Sequence, residues 1–409
     1  MRIVGTNIIQ ARLAVGRVIL AIALTGLALA QAGADDIFWN EPAGGMFDDP
    51  NNWLPQQVPG PDDAAQFNLG KYPAYIVTFP AQASVFNTRC VVQTDQVEMD
   101  LNGATYSLSS DWSIGVGDAM GDVAWLRMTG GYVETQRVAV GQAEGSQGTL
   151  ELGAGLLLNA SIELPIGDAG TGELMLVDAA VVSTPAARLG YGSSGYGYIG
   201  VYGPDTLLGV EDNITVGLYG EGALDVAQGG TAATNWLLIG CIDGPGYATV
   251  SDPNSLLSVH EGIYVGDGAT GWLSIQGGAA AETKWLEVGT AADGDGTLDV
   301  LGPDSNLMIT EGLKIGLWGT GSLSVTDGAE VRTLTPPGWI ILASETGSFG
   351  DAYVIGGGVL SADLAPIVVG NGGHGRLYIF EGAEVYSDGE LLAAEQSGST
   401  AEITIDGAG

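Results

Sequence analysis

The sequence predicts an all-β chain, a single-stranded right-handed parallel β-helix: a three-sided β-solenoid of about twelve rungs of 23–27 residues behind a non-repeating N-terminal cap. Three observations point there. Glycine makes up 67 of 409 residues without a collagen triplet, which marks a repeat of another kind. A phrase of the form apolar-x-apolar-Gly ends at Gly115, Gly141, Gly167, Gly190, Gly217, Gly240, Gly266, Gly289, Gly316 and Gly370, with Ala343 filling the gap and Ala394 closing the series. Each phrase leads into a Gly-x-Gly-x-Leu-x-apolar segment, as in Gly220-Glu-Gly-Ala-Leu-Asp-Val226 and Gly319-Thr-Gly-Ser-Leu-Ser-Val325, whose alternation is that of a strand with one buried face.

In chain order, residues 1–32 read as a secretory signal peptide. Arg2, Arg12 and Arg17 precede the apolar run from Val18 to Ala30, no acid occurs before Asp35, and small residues at Ala28, Ala30, Ala32 and Ala34 offer cleavage sites. The run is too short for a transmembrane helix, so the chain is expected to be exported, with no integral membrane segment after signal cleavage. Residues 33–96 read as the cap and first strands. Their proline-rich aromatic composition, from Phe38-Trp39-Asn40 to Phe67, suits the covering of an exposed first layer, and Trp39 and Trp53 are the candidates for a glycan-binding aromatic surface.

Residues 97–409 carry the rungs. Leu224 with Val226, Leu298 with Val300, Leu323 with Val325 and Leu377 with Ile379 should point inward, and Asp225, Asp299, Ser324 and Tyr378 outward. A second rung type has the corners Gly203-Pro-Asp-Thr-Leu207, Asp252-Pro-Asn-Ser-Leu256 and Gly302-Pro-Asp-Ser-Asn306, so two-rung pairs alternate through the middle of the chain. Trp236 and Trp285 repeat the same spacing, each four residues ahead of a landmark glycine. The last segment, Ile403-Thr-Ile-Asp-Gly-Ala-Gly409, stops halfway through a rung, which suggests a truncated end or a partner in end-to-end self-association. Cys90 and Cys241 lie about six rungs apart, roughly 29 Å at ~4.8 Å per layer, and are expected to be free, buried thiols.

Twelve Lys and Arg against 48 Asp and Glu give a net charge of −36, and −39 once the signal peptide takes three basic residues with it. Such a chain is not expected to bind nucleic acid, because phosphate affinity rests on Lys and Arg. No residue is assigned a catalytic or cofactor-binding role. Gly373-His-Gly375 resembles the Gly-His-Gly of polygalacturonases, but it occupies the turn that other rungs fill with Glu221, Asp295 or Thr320. His260 is the only other histidine, too few for a histidine-built metal site or a Ser-His-Asp triad. The weak calcium candidates are Asp293 and Asp295, whose loop resembles an EF-hand, and the corner acids Asp205, Asp252 and Asp304, expected in one column at every second layer. In the EF-hand register the early acid position is Ala291 and the final glutamate position is Gly302.

Three features together resemble secreted, autotransporter-like bacterial repeat proteins of the passenger type, especially the long surface proteins of planctomycetes. They are the opening Trp39…Asn52-Trp53…Pro59…Asp62-Asp63…Phe67, the segment Val97-Glu-Met-Asp-Leu-Asn-Gly-Ala-Thr-Tyr106 and the apolar-Gly-x-x-Gly-x-Gly-x-Leu rungs. The resemblance implies an extracellular or cell-surface structural or adhesive role, with surface glycans or other cell-envelope proteins as partners. Polysaccharide-active enzymes and glycan-binding modules with the pectin lyase-like fold are the alternative it implies.

Overall fold

The computed structural model describes residues 35–70, 73–334, 338–363 and 365–407; the signal peptide expected over 1–32 lies outside them. Within this region the chain is all-β, with parallel strands stacked as a solenoid of about fifteen turns. One face is a fifteen-stranded sheet running from Gly45–Met46 to Thr400–Asp406. Thirteen of its strands start at Gln96 or later, close to the twelve rungs that the period predicts.

The rest of each layer belongs to a second sheet, of twenty-one strands among the described residues. Its long members bend in the middle. Thr231–Cys241, for example, pairs with Leu256–Asp267 as Thr234↔Val259 and then as Trp236↔Gly262, so one extra residue enters the partner strand. This bulge turns the sheet through a corner and gives the layer its second and third sides. Toward both ends two separate strands take the place of the bent one, as with Thr105–Leu108 and Ile114–Val116 and with Glu330–Thr333 and Trp339–Leu342.

The period-two pattern explains the core. On the fifteen-stranded face Leu150, Leu174, Ile199, Leu224, Ala248, Leu273, Leu298, Leu323, Ala352 and Leu377 pair layer by layer and are all buried. Each Leu or Ile buried this way contributes roughly 1.5–3 kcal/mol relative to exposure. The landmark glycines from Gly141 to Gly370 end the second, bent face in the left-handed conformation; in the rung before them that place belongs to Gly117, with φ of +69°, and Gly115 stands mid-strand opposite Ala139. At Gly167, φ is +68° and a β-carbon would lie 2.0 Å from the Tyr196 carbonyl oxygen in the next layer, so glycine is required on both counts. Ala343 and Ala394 take the same conformation, with φ of 53° and 50°.

The stacking starts earlier than the sequence period. Asp36–Trp39 pairs in parallel with Ala64–Phe67, which pairs with Arg89–Val92, which pairs with Ile114–Val116. These first layers are filled by aromatic rings. Trp39 meets Trp53 edge-on at 5.0 Å and stacks on Tyr75 at 6.2 Å, while Phe47 stacks on Phe79 at 4.5 Å. Cys90 and Cys241 are free and buried, and six ladder steps separate their strands, as the period predicts.

Candidate functional site

Trp39 and Trp53 cannot form the glycan-binding surface expected of them. They are 1% and 0% exposed, and their indole N–H groups donate inward, to the Glu41 and Phe47 carbonyl oxygens at 2.7 Å. An aromatic platform needs open ring faces; these rings are the core of the first layers.

The calcium candidates also disperse. The pairings Leu207↔Thr231↔Leu256↔Ala280↔Asn306 put Asp205, Gly229, Asn254, Gly278 and Asp304 in one corner column. Asp252 is not in it. It occupies the place of Gly203 and Gly302, and its carboxylate accepts the Gln228 N–H at 3.2 Å. Asp205 and Asp304 are therefore four layers apart, about 19 Å at ~4.8 Å per layer. Asp293 lies in an exposed turn, and Asp295 stands between Thr270 and Thr320 on the fifteen-stranded face. Among the described residues, no three Asp, Glu, His or Cys converge to hold a metal ion.

His374 lies on the same face in an ordinary ladder position, stacked on Phe349 at 5.0 Å with Nδ1 2.7 Å from Thr400 Oγ1. Beside it Arg376 clasps Asp351 through two hydrogen bonds, Nε to Oδ1 at 2.7 Å and Nη2 to Oδ2. That clasp holds Asp351 as an ion-pair partner. His260 is exposed, 3.7 Å from Glu261.

The most regular surface feature lies on the bent sheet, immediately after its corner. Trp236, Gly262, Trp285, Gly312 and Trp339 are paired in succession, so tryptophan and glycine alternate through five layers. Each precedes a buried aliphatic residue, respectively Leu237, Ile263, Leu286, Leu313 and Ile340, so the column faces outward. A β-carbon at Gly262 would lie 2.8 Å from Trp236 Cζ3, and one at Gly312 would lie 3.0 Å from Trp285 Cζ3 and 3.2 Å from Trp339 Cε2. Neither glycine has the positive φ of the landmark positions. Their missing side chains make room for the indoles.

Around this column the aromatics continue and both lysines are paired to acids, with Glu311 beside Gly312 as a further acid. Tyr264 stacks on Trp236 at 5.7 Å and 6°, and Trp285 and Trp339 are 5.4 Å apart. Lys284 Nζ is 2.8 Å from Glu261, Lys314 Nζ is 2.9 Å from Glu287, and Lys314 also lies over the Trp339 ring at 5.2 Å. Burial, then the nearby Glu287 and Asp267, push the Tyr264 hydroxyl above the ordinary tyrosine range, so it stays a neutral donor.

A smaller polar cluster marks the fifteen-stranded face. The Tyr202 ring lies over Gly200, its hydroxyl donates to Asp225 at 2.8 Å, and the Tyr198 hydroxyl meets the Tyr202 hydroxyl. Two layers beyond Asp225, Trp272 Nε1 donates to Asp299 at 2.9 Å. These faces present rings, hydroxyls and paired ions for contact.

Trp236 and Trp285 are visible in the sequence as a repeat; Gly262, Gly312 and Trp339 are not. The signal is there in Asn235-Trp-Leu237, Glu261-Gly-Ile263, Lys284-Trp-Leu286, Glu311-Gly-Leu313 and Gly338-Trp-Ile340, where Trp and Gly alternate before a core aliphatic residue. No protein-family model, curated protein or solved structure matches the chain.

Proposed function

We propose that the chain is an exported, non-catalytic β-solenoid that serves as a structural or adhesive component of the cell surface or extracellular matrix. The observation that carries this reading is the unbroken parallel ladder of about fifteen turns, whose outward faces are lined by short polar residues, aromatic rings and paired ions. A ladder of this kind joins every layer to its neighbours by backbone hydrogen bonds, and binding then draws on a long surface. The arginine-rich opening and acid-free first 34 residues support export, and the net charge of −36 suits a rod that must stay dispersed.

The competing reading is a polysaccharide-active β-helix enzyme. It draws on the same fold and on the group of His374, Arg376, Asp351 and Tyr378, but the Arg376 clasp ties up the acid that would have to move a proton. Expression of the full chain in a bacterial host, with fractionation and N-terminal sequencing, tests export. The expected product lies outside the cytoplasm and starts just after Ala32. An uncleaved cytoplasmic product would sink the surface reading, and release of reducing or unsaturated sugars from acidic polysaccharides would replace it with the enzyme.

A further inference from the structure

We infer that the column Trp236–Gly262–Trp285–Gly312–Trp339 is a binding track for a neutral polysaccharide chain laid parallel to the solenoid axis. This deepens the adhesive reading and rests on it.

The first ground is geometry. The three tryptophans recur at every second layer, about 9.6 Å apart at ~4.8 Å per layer. Their benzo ends lie over the intervening glycines, since Trp236 Cζ3 and Cε3 would be 2.8 and 3.2 Å from a β-carbon on Gly262. The rings form two groups along the column, Trp236 stacked with Tyr264 and Trp285 tilted at 50° against Trp339, on a backbone span of about 19 Å. All four aromatic side chains are half-buried, held by the sheet and still accessible. An extended polymer with a regular repeat can engage such a track at several successive units, and tryptophan offers a large rigid contact area at little conformational cost.

The second ground is choice of residue. Glycine at 262 and 312 is not demanded by the backbone, because both lie outside the left-handed region where the landmark glycines sit. Its effect is to let an indole lie flat across a layer in place of standing off it. Gly262 makes room for Trp236, and Gly312 makes room for both Trp285 and Trp339, so each glycine seats aromatic rings on the same outward column.

The third ground is charge. Lys284 and Lys314, which flank the column, are already held by Glu261 and Glu287 at 2.8 and 2.9 Å. The rails are thus Lys284 and Lys314 paired to Glu261 and Glu287, with Glu311 beside Gly312 adding one acid, and they offer donors and acceptors matched to hydroxyl groups. An anionic polymer would meet paired lysines on a chain of charge −36. A polycation would be drawn to the whole surface and not to this column. A sugar chain stacks the C–H faces of its rings on the indoles and offers hydroxyls to the rails.

The test is retention of the full chain on insoluble cellulose, chitin and mannan, with polygalacturonate and polylysine beads as charged comparisons and a proline-rich peptide resin as the peptide comparison. The expected result is retention on at least one neutral polymer and a quench or blue shift of tryptophan emission with its soluble oligomers. Trp285→Ala with Trp339→Ala should weaken retention by about tenfold or more. Trp236→Phe, Trp285→Phe and Trp339→Phe, which keep a ring and the fold, should weaken it less. Retention by no neutral polymer, equal retention of folded alanine and parent chains, or retention only by polygalacturonate, polylysine or the peptide overturns the track. A chain that reaches the cell surface yet holds no neutral polymer overturns this inference alone; a chain that is not exported overturns the surface reading whatever it binds.

Discussion

Gly312 and Trp285 are paired in adjacent layers of one outward column, and a β-carbon on Gly312 would sit 3.0 Å from Trp285 Cζ3. The same relationship joins Gly262 to Trp236 at 2.8 Å. Replacing glycine in a strand normally stabilises by about 0.5–1 kcal/mol, because the unfolded chain loses freedom. Here the added methyl must push an indole aside, at about 1–3 kcal/mol for overpacking. Gly312→Ala is therefore expected to be neutral to destabilising, with a changed near-ultraviolet circular dichroism signal from the Trp285–Trp339 pair. A stabilised variant with an unchanged indole signal would show that the glycine is not holding space for the ring.

Ala343 calls for the opposite change. It stands where nine other rungs carry a landmark glycine from Gly141 to Gly370, and it holds φ of 53° with its side chain fully buried. A left-handed conformation costs a non-glycine residue about 1–2 kcal/mol. Part of that relief is lost to the greater freedom of glycine in the unfolded chain. Ala343→Gly should raise stability by about 0.5–1 kcal/mol, read as a higher denaturant midpoint with an unchanged slope.

Much of this architecture is legible in the sequence itself. The landmark glycines and the Leu298–Val300 type of alternation locate the fifteen-stranded face because burial on one side of a strand has a strict period of two. The first layers escape that signal. Ala64–Phe67 and Arg89–Val92 stack like every other strand but fill their layers with Trp39, Phe47 and Phe67, and no landmark glycine ends them. Trp39 and Trp53 mislead for the same reason: composition marks them as aromatic and the fold decides which way they face. Asp252 fails by two residues, since matching acids aligns it with Asp205, whereas the prolines at 204, 253 and 303 align it with Gly203 and Gly302. The tryptophan track is half-visible, because glycine in so glycine-rich a chain reads as a turn residue even when it stands mid-strand.

Burial pushes the thiols of Cys90 and Cys241 up to about 12. Both should resist alkylation in the folded chain at neutral pH and react once it is unfolded. The linkage runs toward alkaline sensitivity. The folded state keeps both thiol protons while the unfolded state begins to lose them near its ordinary range, so stability is fully present below that range and falls as pH rises toward about 12. Each thiol can contribute at most about 1.4 kcal/mol per pH unit over that window. Cys90→Ala with Cys241→Ala should flatten the alkaline part of the stability curve; an unchanged slope would mean that the thiols do not supply it.

Glu163 joins three layers. Its carboxylate takes Arg137 Nε at 3.0 Å on one side and Arg188 Nη1 on the other, while Arg137 lies over Trp112 at 5.2 Å and Arg188 over Tyr191 at 5.7 Å. The same carboxylate acts on Asp168, whose carboxyl is raised above the ordinary range first by burial and then by the Glu163 charge. Since the folded pKa is raised, the stability associated with Asp168 is present in acid and is lost as pH rises through its folded value; at neutral pH the ionised Asp168 is a small cost. Asp168→Asn should therefore stabilise the chain at neutral pH by a few tenths of a kcal/mol, as expected for a partly exposed group, and this gain should vanish in acid. Glu163→Gln should do the reverse at neutral pH. It strips two half-exposed guanidinium groups of their shared counter-charge, at about 1–2 kcal/mol after allowing for solvent screening, and adding salt should shrink that difference. Urea melts of both variants at neutral pH separate the two effects by sign, and melts in acid check that the Asp168→Asn gain disappears where that carboxyl is protonated in both states. If Asp168→Asn stabilises equally at both pH values, charge is not what makes Asp168 costly.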